Sequence, residues 1–127
     1  MASYADLRAC SADFRVSYRF FTVAEGGRKI PPQQHVRWDF LYEGDDLMKD
    51  GTSMIWPEFV DASGTMLPEG EVPASGLADM YVISPERRAF HASRIYAGTK
   101  GYFVEGATRV AECEVISVSG LHTNRRE

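Results

Sequence analysis

Apolar and polar residues alternate with period two along much of this chain. In "FRVSYRFFTV", Phe14, Val16, Tyr18 and Phe20 fall on one face, and Arg15, Ser17 and Arg19 on the other. "HVRWDFLY" repeats the pattern, with Val36, Trp38, Phe40 and Tyr42 set against His35, Arg37 and Asp39. Such alternation predicts half-buried strands. Further short runs rich in β-branched and aromatic residues are "MYVIS", "AFHASRIYA", "GYFV" and "TRVAECEVISV", and glycines separate most of them. Only residues 3–12 read as helical, with Ser3 as N-cap and Asp6 three positions on. The pattern predicts an all-β antiparallel sandwich or barrel over residues 14–120, a helical extension over 1–13 and a flexible tail over 121–127.

Between the strands two stretches carry information. "FTVAEGGRKIPP" sets Gly26 and Gly27 between Glu25 and the bases Arg28 and Lys29. Paired glycine N–H groups beside two cations suit a phosphate cradle, but a P-loop also needs wider glycine spacing, a Lys-Ser/Thr pair and a following helix. The segment therefore predicts a hairpin turn between the first two strands. The irregular middle, "EGDDLMKDG" and the proline-rich run after it, predicts a loop with a short strand at residues 64–67.

With 127 residues, 44% of them hydrophobic and 12% aromatic, the chain is sized for one domain with a real core. The net charge of -4 disfavours a whole-molecule attraction to nucleic acid. Cys10 and Cys113 lie far apart in sequence and predict no disulfide framework. The amino-terminal stretch lacks a signal-peptide pattern, and no run approaches the roughly 18 apolar residues of a membrane span, so the expectation is a cytoplasmic protein without a membrane partner.

Candidate chemistry is sparse. His35, His91 and His122 have no metal-ligand spacing, and His35 and His91 are expected in strands. Cys113, flanked by Glu112 and Glu114, reads as a buried thiol. Glu43, Asp45, Asp46 and Asp50 lack the ligand order of a calcium loop and read as a solvated loop or a surface for a basic partner. Arg15, Arg19 and Arg37 form a basic stripe if their strands are neighbours, or pair with Asp13 and Asp39. Trp56, with Phe59 close by, is a candidate aromatic patch or a barrel-end plug.

Five segments, in order, resemble the third, C-terminal barrel domain of the elongation factor Tu family. "VAEGGRKIP" is similar to its opening hairpin, "VRWDF" to the strand that follows, and "GTMLPEG" to its glycine-threonine strand and turn. "PASGLADMYVISP" resembles its next loop and strand, and "GYFVEGATRVAECEVISV" its final hairpin. The resemblance spans about residues 14–118. It implies a six-stranded antiparallel barrel, and contacts to aminoacyl-tRNA, an exchange partner or a GTPase domain through turns matching Gly26, Gly27, Arg28, Gly106 and Arg109. The second turn has one glycine where the family commonly has two, and residues 43–51 read as an insertion. GTP hydrolysis does not carry over, because no nucleotide-binding domain is present.

The expectation is a non-catalytic binding module without metal or cofactor. Its contact residues are expected to be Gly26, Gly27, Arg28, Lys29, Asp45, Asp46, Trp56, Gly106 and Arg109. A protein partner ranks first, RNA is disfavoured by charge, and self-association is left open. The alternative is a barrel whose mouth holds a small ligand, with weak hydrolytic chemistry at His91 or Glu105.

Overall fold

The computed structural model describes residues 11–123. The described residues form strands β1 (Phe14–Phe20), β2 (Asp39–Tyr42), β3 (Ile55–Val60), β4 (Ser75–Val82), β5 (Lys100–Glu105) and β6 (Thr108–Val118). They also form two short helices, α1 (Leu47–Asp50) and α2 (Arg88–Arg94). The helix expected over residues 3–12 lies outside the described residues, except for Ser11 and Ala12, which are in no helix. No helix among the described residues is long and apolar enough to cross a membrane.

The six strands make one antiparallel sheet in the order β2-β5-β6-β1-β4-β3. Register shifts at Arg15/Val16 and at Phe103/Val104 bend the sheet, as bulges do. The sheet curls round an aromatic interior in which the centroid of Tyr18 lies 4.9 Å from Phe59 and that of Phe20 lies 5.1 Å from Trp38. Room for that packing comes from Gly101 on β5, where a Cβ would stand 2.4 Å from the Phe40 ring tip.

The sheet is a curled half-barrel and not the closed antiparallel six-stranded β-barrel expected from the resemblance. Among the described residues its open edges approach at one isolated bridge, between Phe40 of β2 and Ser53, two residues before β3, whose N–H groups donate to each other's carbonyls at 2.9 and 2.8 Å. Beyond that pair β3 has other partners. The Phe59 N–H donates to Gln34 Oε1, and Gln34 Nε2 donates to the carbonyls of Phe59 and Leu67, all at 2.9–3.0 Å. Pro57 shares Phe59's outward orientation and has no N–H to offer. Val60 bridges to Met66, so the strand expected at residues 64–67 is reduced to one bridge. Trp38 fills the seam, with its centroid 6.1 Å from that of Phe59.

Two further expectations are corrected. The Gly26–Gly27 turn does not join a hairpin: β1 pairs with β4 and β6, while β2 lies at the far edge beside β5, so residues 21–38 cross between them. "AFHASRIYA" is not a strand, because its residues 89–94 belong to α2. Pro85 starts the preceding 3-10 turn, and Arg88 and His91, three apart, turn inward together as helical spacing requires. Arg88 Nη2 donates to Asp13 Oδ1 at 2.5 Å and to the Leu121 carbonyl at 3.1 Å, and the Val82 N–H donates to Asp13 Oδ2 at 2.7 Å. This buried brace ties β1, β4, α2 and the turn after β6, in which Leu121 is buried.

Replacing Gln34 by Ala strips the amide that seals β3. We expect a loss of about 2 kcal/mol in urea unfolding, and a rise in self-association by sedimentation as the edge opens. Unchanged stability would contradict the seal.

Candidate functional site

The segment after β1 is built by a local motif. Thr22 accepts from the Glu25 N–H at 3.3 Å and Glu25 accepts from the Thr22 N–H at 2.9 Å, a reciprocal cap on the 3-10 turn Val23–Glu25. Arg19, bonded to both Glu25 and Glu112, holds the Glu25 carboxyl down at about 2. The sequence reading missed this cap, although the Thr-x-x-Glu spacing is its signal. Gly26 ends the turn at φ 92°, and Gly27 passes so close that a Cβ would lie 2.2 Å from the Phe21 carbonyl oxygen. The glycine N–H groups donate to the Val23 and Thr22 carbonyls at 3.0 and 2.9 Å, so neither is free to cradle a phosphate.

Arg28 reaches the other turn. Its Nε lies 3.1 Å from Glu105 Oε1, at the end of β5 beside Gly106, and its guanidinium sits 5.5 Å above Trp38. Arg28 Nη1 and Trp38 Nε1 are buried and have no hydrogen-bond partner among the described residues. Such an unmet donor costs about 1–3 kcal/mol. On the outer face, Asp45, Asp46, Leu41, Val104, Ala107 and Arg109 line an open pocket of about 500 Å³. Arg109 stacks on Tyr102 at 4.8 Å and has no ion pair among the described residues.

The acidic loop over residues 43–51 is anchored and not a free solvated loop. Asp45 accepts two bonds from Arg94, at 2.9 and 3.0 Å. Asp46 caps α1 through the N–H groups of Met48 and Lys49, and Asp50 accepts from the Asp46 N–H at 2.7 Å. Arg94 in turn lies 3.8 Å over the Tyr42 ring, and the Tyr42 hydroxyl shares a 2.6 Å hydrogen bond with His91 Nδ1. Burial first, then Arg87, Arg94 and Arg88, push the His91 imidazole down to about 4, so it is neutral near pH 7. Burial also raises the Cys113 thiol far above its ordinary value.

The structure thus brings Arg28 to Glu105, and Asp45 and Asp46 to Arg109. Trp56 is not brought to them: it is half-buried on the opposite edge strand, with Arg37 stacked 4.6 Å from its ring. No basic stripe forms, because Arg15 pairs with Asp79 at 2.7 Å while Arg19 and Arg37 are engaged elsewhere. Nor do Asp13 and Asp39 neutralise those arginines: Asp13 holds Arg88, and Asp39 accepts from Thr52. His35 lies outside any strand, at φ 63°, with Nε2 2.6 Å from Glu58 Oε2. No group of three or more potential metal ligands occurs among the described residues. No protein-family model and no curated protein matches this sequence.

Two measurements probe these readings. An unfolded His91 titrates near 6.5 and the folded one near 4, so between those values the unfolded chain binds more protons. Stability is complete above about pH 6.5 and falls by on the order of 1–3 kcal/mol as the pH drops to about 4, a slope that His91→Gln should flatten in urea titrations. Gly27→Ala should cost about 1–3 kcal/mol through its clash with backbone, with Ala fitting no better than a larger side chain.

Proposed function

We propose that this protein is a non-catalytic binding module that engages a protein partner through the surface joining loop 43–51 to the turn at Gly106–Arg109, with the turn at Gly26–Lys29 beside it. The observation that carries this reading is the open pocket in which Arg109 faces the Asp45–Asp46 segment across about 500 Å³. A cation free of ion pairs among the described residues, 4.8 Å from the Tyr102 ring centre and lining one pocket with two carboxylates, offers a partner both charges and an aromatic ring. The resemblance to the third domain of elongation factor Tu points to the same turns.

A protein suits this surface better than RNA. The net charge is -4, and Arg15, Arg19, Arg28, Arg88 and Arg94 are already matched by carboxylates. Those five arginines are not free for phosphates. The alternative of a ligand in the barrel mouth finds little support, because aromatic rings fill the interior and His91 is neutral and buried. We read the protein as cytoplasmic, in keeping with Cys113, which is a free thiol.

Affinity capture from native lysate, with and without nuclease, tests this. Bound protein should survive nuclease and fall at least about tenfold with Arg109→Glu, the loss of a central arginine anchor. Capture that disappears with nuclease would transfer the reading to RNA, and capture indifferent to Arg109→Glu would refute it.

A further inference from the structure

The face around Arg109 carries complementary groups that do not meet within one chain. Asp46, just before α1, and Arg109, near the start of β6, line one open pocket of about 500 Å³. Neither has an ion pair among the described residues. Asp46 uses Oδ1 to accept from the N–H groups of Met48 and Lys49, and its Oδ2 has no hydrogen bond among the described residues. A cation and a carboxylate oxygen therefore border the same recess, each without its opposite charge.

The apolar part of this face is divided in the same way. Leu41 and Val104 line the pocket, and neither belongs to the main interior cluster. Next to Leu47, which also lines it, is Met48, 89% exposed and the most exposed large apolar side chain of the described residues. A methionine left in water gains by docking against apolar surface, and its flexible thioether fits irregular recesses. The helix that carries it is fixed in advance: Asp46 caps it, and Arg94 clasps Asp45 at 2.9 and 3.0 Å. Anchoring of this kind lowers the entropy lost on docking.

A surface that bears both a plug and a socket, and both a cation and a carboxylate, meets the condition for an isologous contact. In such a contact residue i of one protomer meets residue j of its partner, and j meets i. A foreign partner would have to supply each complement separately, whereas a second copy supplies all of them by symmetry. The net charge of -4 opposes the approach of two copies in general, so the attraction must be local to this face.

We propose that this protein forms a twofold dimer through this face. Met48 of each protomer sits in the pocket of its partner, and Arg109 of each meets Asp46 of the other. The inference rests on the partner surface proposed above and names its occupant as a second copy of this chain.

Sedimentation equilibrium of the full chain tests it. A monomer–dimer equilibrium with a Kd on the order of 10 µM is expected, since one buried side chain and exposed ion pairs make a small interface. Met48→Asp, at an exposed position that does not threaten folding, and Arg109→Glu should each weaken dimerisation at least about tenfold. Asp46→Asn keeps the cap and removes the charge, and should weaken it several-fold. Ile116→Lys, at an exposed position near the far end of β6, should leave it unchanged.

The symmetry has its own test. Arg109→Glu and Asp46→Lys each set like charges against each other in their own dimers. When the two variants are mixed, both charge contacts join opposite signs again, so the heterodimer should recover to within about threefold of the parent. A chain that stays monomeric up to about 1 mM would overturn the proposal, as would dimers that tolerate Met48→Asp. So would a mixture that associates no better than its components. A monomer that still captures a foreign protein through Arg109 sinks this inference alone, and one that captures nothing sinks the partner surface with it.

Discussion

Four inward side chains of β1, Phe14, Val16, Tyr18 and Phe20, form the floor on which the rest of the sheet is rolled. β1 is central: β6 pairs along one side of it and β4 along the other, so every ring that closes the interior does so over this strand. The bulge at Arg15/Val16 bends that floor, and the curvature brings Trp38, just before one edge strand, to Phe59 of the other. Burial of those aromatic rings drives the fold, each contributing roughly 1.5–3 kcal/mol before the entropy of ordering is set against it. The interior is consequently full, and whatever the protein binds meets it on the outside or at the seam.

The seam arises from competition for hydrogen bonds. Continuous closure needs the outward groups of β3 to pair with β2. Gln34, Pro57 and the bridge to Met66 occupy or remove those groups first, leaving Phe40 and Ser53 as the one isolated bridge across the gap among the described residues. A side-chain amide that reproduces a strand's two bonds blocks an edge as a neighbouring strand would, and without extending the sheet. The loop that carries Gln34 also carries Arg28 to Trp38. The seal of the edge and the unmet donors are thus two results of one crossing segment.

Charge follows a similar economy. Asp13 and Arg88 brace the interior, Asp45 holds Arg94, Asp46 caps α1, and Arg19 clamps Glu25 and Glu112. Several charged groups are therefore spent on architecture, whereas Arg109 stacks on Tyr102 and has no ion pair among the described residues. His91 shows the same preference for structure over reactivity, since its neutral ring serves Tyr42 and the packing of α2.

Several elements were legible in the chain by itself. The alternation of Phe14 to Phe20 and the apolar runs at 80–82, 101–104 and 108–118 specify strands, because a side chain's face in a strand depends only on parity. The glycine turn at 106 is equally local, whereas the Thr22–Glu25 cap was overlooked in favour of a hairpin turn. Residues 89–94 were not legible as helix, since seven residues give too few turns for a 3.6 period to stand out against aromatic and β-branched content. Strand order, the crossing of residues 21–38, the seal at Gln34 and the meeting of Arg28 with Trp38 were decided only by tertiary structure. Each depends on which distant groups reach one another first. A chain's local pattern states which face a residue prefers, but not which partner will satisfy it.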